Sequence, residues 1–221
     1  MCRFYSAIVT KNGDLLHNQS LMSHEDIIDM FELNDTNPNC DNFVRVEFSP
    51  KDNNDSVNIE KYFLSVDEKI LPLWFEQYRE YVTSRLKDFV NKRIILTNKK
   101  ILSDGIYIVG ENIVIDKLVN GSIIDLFGTV QNVCGGTVQN VCGGTVQNVC
   151  DGGTVQNVCD GTVQNVYGGT VQNVCDGGTV QNVWSSGTVQ NVYDGGTVQN
   201  VLGGGTVQNV LDGGVVNGVK K

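Results

Sequence analysis

From Gly121 to Val219 the chain carries no lysine or arginine. A surface without cations cannot neutralise phosphates, so this half is excluded as a nucleic-acid partner, and a net charge of -9 argues against coating anionic membranes. Long apolar runs are missing too. No apolar stretch reaches the roughly 18 residues of a membrane span, and no charged start leads into the short apolar run of a signal peptide. A cytoplasmic protein is expected. Histidine is limited to His17 and His24, and neither a hydrolase elbow, a P-loop nor a GxGxxG turn occurs. His24 falls in a helix cap, which suits a structural role, and no catalytic residue is expected.

What the 221 residues do contain is enough apolar material, 40%, for a folded core. Seven cysteines are present, five of them periodic, and without an export signal they are read as reduced thiols. Their spacing, C-x7-C-x7-C-x8-C, lacks the close pairs of structural zinc sites. Neither a metal nor a cofactor is expected.

Residues 1–92 follow the grammar of a mixed domain. "RFYSAIVTKNGDLLHN" predicts a hairpin with a type I′ turn at Asn12-Gly13. "SHEDIIDMFEL" predicts a helix capped by Ser23, with Ile27, Ile28, Phe31 and Leu33 on its apolar side. "FVRVEF" and "KYFLSV" predict a second hairpin, and Trp74, Phe75, Tyr78, Val82, Leu86, Phe89 and Val90 predict a long second helix. The order β-β-α-β-β-α predicts an α+β domain with both helices on one face of an antiparallel sheet. Near the domain junction, Lys92, Arg93, Lys99 and Lys100 form either a solvated basic patch or an anion-binding site.

Residues 93–127 are a transition with the first irregular units, and 128–221 are repeats. Ten copies of GTVQNV begin at Gly128, Gly136, Gly144, Gly153, Gly161, Gly169, Gly178, Gly187, Gly196 and Gly205, with a decayed copy at Gly214. Upstream, "GSIIDLF" from Gly121 keeps the same phase. Fixed short periods predict a β-solenoid, a parallel β-helix built from 8–9 residue repeats. One unit is too short to close a coil. The recurrence of the extra residue suggests three units per coil, and two remain open. Strict alternation would send the two valines of a unit to opposite faces, so a corner is expected at the Asn, a residue that tolerates positive φ. Stacking should place Thr on Thr, Gln on Gln and Asn on Asn.

The position after the second valine reads Cys134, Cys142, Cys150, Cys159, Tyr167, Cys175, Trp184, Tyr193, Leu202 and Leu211. A packed lumen could not accept both Cys and Trp, so this rank is expected outside or at a wide corner. Outside, it forms an apolar stripe suited to self-association.

Several chemistries fit poorly. Cys2, in "MCRFYS", resembles the exposed cysteine of N-terminal-nucleophile amidotransferases at two letters only, and no further motif supports it. Asp151, Asp160, Asp176, Asp194 and Asp212 recur in the turns, but too sparsely for a calcium β-roll. In family terms, residues 113–221 resemble the GTVxxV or GTIxxV octapeptide and nonapeptide solenoids of bacterial and phage proteins. That resemblance implies a solenoid and a mobile-element origin. The expected function is a non-enzymatic homo-oligomer or protein-binding module using its apolar stripe. The alternative is an anti-defence protein that sequesters a host protein or a nucleotide signal.

Overall fold

The computed structural model describes residues 5–34, 42–52 and 55–220, apart from the side chains of 219 and 220. They fall into two compact units, Met1–Arg93 and Ile94–Lys221. Among the described residues, no helix is long and apolar enough to cross a membrane.

In the first unit, β1 (Tyr5–Thr10), β2 (Leu15–Leu16), β3 (Phe43–Pro50) and β4 (Tyr62–Val66) form an antiparallel sheet in the order β2-β1-β3-β4. The β1–β2 turn is not type I′: only Gly13 has positive φ, and Gly13 N–H donates to the Thr10 carbonyl while Thr10 N–H donates to that of Asp14. This is the three-residue loop with glycine at its bulge. Helix α1 (His24–Met30) is capped by Ser23, whose Oγ accepts from Asp26 N–H. Helix α2 (Arg79–Asn91) is shorter than the periodicity predicts, because Leu73–Tyr78 winds as a 3-10 segment after Pro72.

The helices lie on opposite faces of the sheet, not on one. Tyr5 and Ile8 sit three residues apart on β1 and so point to opposite sides. Tyr5 meets Phe89 of α2 edge-on at 5.8 Å, whereas Ile8 packs with Ile27 and Ile28 of α1. Every residue of β1 up to Val9 is buried, a pattern that only a sheet covered on both faces produces.

The second unit is a parallel β-solenoid of sixteen strands in two eight-stranded sheets. One sheet stacks β6 (Lys99–Leu102), β8 (Val114–Leu118), β10 (Thr129–Val133), β12 (Thr145–Val149), β14 (Thr162–Val166), β16 (Thr179–Val183), β18 (Thr197–Leu202) and β20 (Val215–Lys220). The other stacks β5 (Ile94–Ile95), β7 (Ile106–Val109), β9 (Ser122–Leu126), β11 (Thr137–Cys142), β13 (Thr154–Cys159), β15 (Thr170–Cys175), β17 (Thr188–Val192) and β19 (Thr206–Val210). Successive units alternate between sheets, so each coil holds two. Thr129 faces Thr145, sixteen residues on, and Thr170 faces Thr188, eighteen on.

Both valines of a unit point inward, and together they make one continuous core along the axis. The strand breaks its pleat to do so: the register passes from Val130↔Val146 to Asn132↔Asn148 and skips Gln131. No repeat asparagine has positive φ, so the expected reason for Asn at this bend is corrected. Its side chain is what the bend uses. Asn157 Nδ2 donates to the backbone carbonyl of Gln139 one coil earlier and to Asn140 Oδ1, and Asn173 Nδ2 donates in turn to Asn157 Oδ1. The amide thus supplies a donor to the carbonyl of a skipped residue and continues a side-chain ladder. The ladder that runs through Asn140 begins on Asp125, whose carboxylate accepts from Asn140 Nδ2 at 3.1 Å.

Glycine before each threonine has a separate cause. A Cβ on Gly178 would overlap the Val158 carbonyl of the preceding coil, and one on Gly196 would overlap that of Val174. The backbones cross too closely there for any side chain.

Candidate functional site

Because units alternate between sheets, the rank after the second valine does not form one stripe of ten. It divides into two columns of five at opposite ends of each coil. The first holds Cys134, Cys150, Tyr167, Trp184 and Leu202, and the second holds Cys142, Cys159, Cys175, Tyr193 and Leu211. Backbone hydrogen bonds to the preceding coil hold each position in place, as from Trp184 to Val166 and from Tyr193 to Val174.

The two ends differ in chemistry. Among the GTVQNV units, turns at the first end are Gly-rich and include only Asp151 among acidic residues, with Ser185 and Ser186 beside Trp184. Tyr167 and Trp184 are 47% and 37% exposed and stack at 6.0 Å with 15° between their rings. Trp184 Nε1 donates to Asn165 Oδ1 at 3.2 Å, so the stack is tied to the asparagine ladder beneath it.

Turns at the second end carry Asp160, Asp176, Asp194 and Asp212. These four stack directly: each of Asp160, Asp176 and Asp194 donates its N–H to the carbonyl of the next. Three of them occupy positive φ, which Asp tolerates better than most residues. Beside them Cys142, Cys159 and Cys175 are in register, and the sulfurs of Cys159 and Cys175 are 3.2 Å apart. Cys175 is 5% exposed. Burial, then contact with Cys159, pushes its thiol up to about 12. At the other end, burial and then the Cys134 thiol push Cys150 up to about 11. Thiols this reluctant to ionise are weak nucleophiles at neutral pH.

Cys159 Sγ, Cys175 Sγ and a carboxylate oxygen of Asp176 lie within 4.8 Å of one another. Linear spacing concealed this grouping, because residues sixteen apart become neighbours once the coil closes. The signal was present in the sequence as cysteine recurring at every second unit.

The other sequence candidates fall in different parts of the chain. Lys92 and Arg93 end the first unit, and Lys99 and Lys100 belong to β6 of the second. Arg93 has its guanidinium 3.6 Å from the Phe89 ring centroid and donates to the Phe89 carbonyl. His24 is buried and its Nε2 lies 2.9 Å from the Val46 carbonyl, a position that ties α1 to the sheet. Cys2 lies outside the described residues. His17, which sequence reasoning passed over, packs edge-on against Phe89 at 4.2 Å. Burial lowers its pKa, and Arg93 and Arg85 lower it further.

Comparison with protein-family models, with curated proteins and with solved structures finds no match to this chain.

Proposed function

We propose that this is a non-enzymatic scaffold that pairs with a second copy of itself along the aromatic end of its solenoid. One observation carries the reading: Tyr167 and Trp184 form an exposed stack on a surface whose GTVQNV turns carry a single acidic residue, Asp151. Large aromatics held in one geometry bury much area at small entropic cost, and they dominate interface energetics. The charge distribution supports the same end. The solenoid's stacked aspartates are at the opposite end of each coil, so two copies meeting through the aromatic column keep their like charges apart. A two-fold arrangement centred between Tyr167 and Trp184 would set each residue against its counterpart's neighbour, as isologous pairing requires. A parallel β-solenoid, in which each coil stacks on its neighbours, makes a rigid stalk that suits such a role.

Light scattering at micromolar to tens of micromolar concentration tests the proposal. The wild type is expected as a dimer, and Tyr167→Ser with Trp184→Ser as a monomer of unchanged circular dichroism. Tyr193→Ser with Leu211→Ser, in the other column, should leave the dimer intact. A monomeric wild type, or loss of the dimer only in the second pair, overturns the assignment.

A further inference from the structure

We infer that Cys159, Cys175 and Asp176 form a binding site for one Zn²⁺ ion per chain, a site that clamps two successive coils. The inference is independent of self-association, since it concerns the opposite end of the coil. Two thiolates and a carboxylate are a ligand set for a borderline divalent cation, whereas Cu⁺ prefers sulfur alone and Mg²⁺ or Ca²⁺ prefer oxygen alone.

The geometry requires little change. In a tetrahedral zinc site with Zn–S near 2.3 Å the sulfurs stand about 3.8 Å apart. Here they are 3.2 Å apart on in-register strands, so small side-chain rotations open the pair to the required distance. The Asp176 carboxylate is already within 4.8 Å of both sulfurs. It follows Cys175 directly, at a turn with φ of 48°. Tyr193, which follows Cys175 in the same column, interacts electrostatically with its sulfur and would support that ligand, leaving the fourth metal position to water.

Electrostatics supply the second argument. Asp160, Asp176, Asp194 and Asp212 are stacked through their backbones at one end of the coils. From Gly121 to Val219 the chain offers no lysine or arginine to balance them. Backbones at successive rungs are about 4.8 Å apart, so the carboxylates they carry repel one another, and a divalent cation at Asp176 turns that repulsion into attraction. At the opposite end the Cys134–Cys150 pair lacks such an acidic stack, so it serves as an internal control. Binding exchanges the two thiol protons for the metal, so protons are released as the ion enters.

Co²⁺ titration of the full, reduced chain under a non-thiol reductant tests the site. One equivalent should give sulfur-to-cobalt charge-transfer absorption and intense tetrahedral d–d bands, both abolished by added Zn²⁺. Cys159→Ser with Cys175→Ser should lose the signal, and Asp176→Asn, an exposed and conservative change, should weaken affinity at least about tenfold. Cys134→Ser with Cys150→Ser should keep it. Absence of charge transfer in the wild type overturns the site, as does a signal that survives the Cys159/Cys175 double substitution. Failure here would leave the dimer measurement untouched.

Discussion

Gly178 and Gly143 are both glycines of the solenoid, yet they are glycine for different reasons. A Cβ on Gly178 would strike the Val158 carbonyl, a backbone atom that cannot move without shifting a whole coil. Gly143 has open space around it and needs only its φ of 75°. Gly178→Ala should therefore cost about 2–4 kcal/mol, whereas Gly143→Ala should cost about 1–2 kcal/mol, the penalty of a left-handed alanine. Denaturant midpoints of the two variants check this order. The size variation after the second valine is explained at this scale too. Trp184 and Tyr167 are accommodated because they extend along the outside, while the lumen holds valine at every unit.

At the scale of the element, the bent strand TVQNV is held by its asparagine. An inner rung such as Asn157 donates to both Gln139 and Asn140 and accepts from Asn173. The exposed Asn209 makes a single bond of this kind, to Asn191. Asn157→Ala should lower stability by about 2–4 kcal/mol and Asn209→Ala by less than about 1 kcal/mol, since only the first strands half-buried partners. Thermal melts of the two variants give the comparison. Asn157→Asp is the sharper test of the ladder's polarity, because a carboxylate can accept from Asn173 but cannot donate to Gln139. It should behave like the alanine variant, although Asp125 is well suited to the first rung.

The whole molecule combines two units with different physics. In the solenoid each coil meets only its neighbours, so stability is close to a sum of repeated terms. The first unit depends on contacts between distant segments, among them His17, Phe89 and Arg93. Because its pKa is depressed in the folded chain, His17 binds protons more readily when unfolded. Its contribution is complete above the ordinary value of about 6.5 and is lost as pH falls from there through the depressed value. Acid should unfold this unit before the solenoid, and His17→Gln should reduce that sensitivity. Each unit has one tryptophan, so Trp74 fluorescence in a Trp184→Phe background follows the first unit alone. If the pH dependence of Trp74 unfolding is identical with and without His17, the assignment fails.

Periodicity alone determined that residues after about 113 form a β-solenoid, because short identical units have no stable alternative to stacking like on like. Ser23 as a helix cap and Val82, Leu86 and Val90 as a buried helical face were also legible, since these signals act within one or two turns of chain. Only the tertiary structure decided that two units close a coil. That one choice splits the apolar rank into an aromatic end and a thiol-acid end and brings Cys159 to Cys175. Tertiary structure likewise decided that the helices cover opposite faces of the sheet and that asparagine repairs a bend. The physical reason is common to all three: each depends on which distant residues become neighbours, and local chemistry leaves several closures of similar energy open.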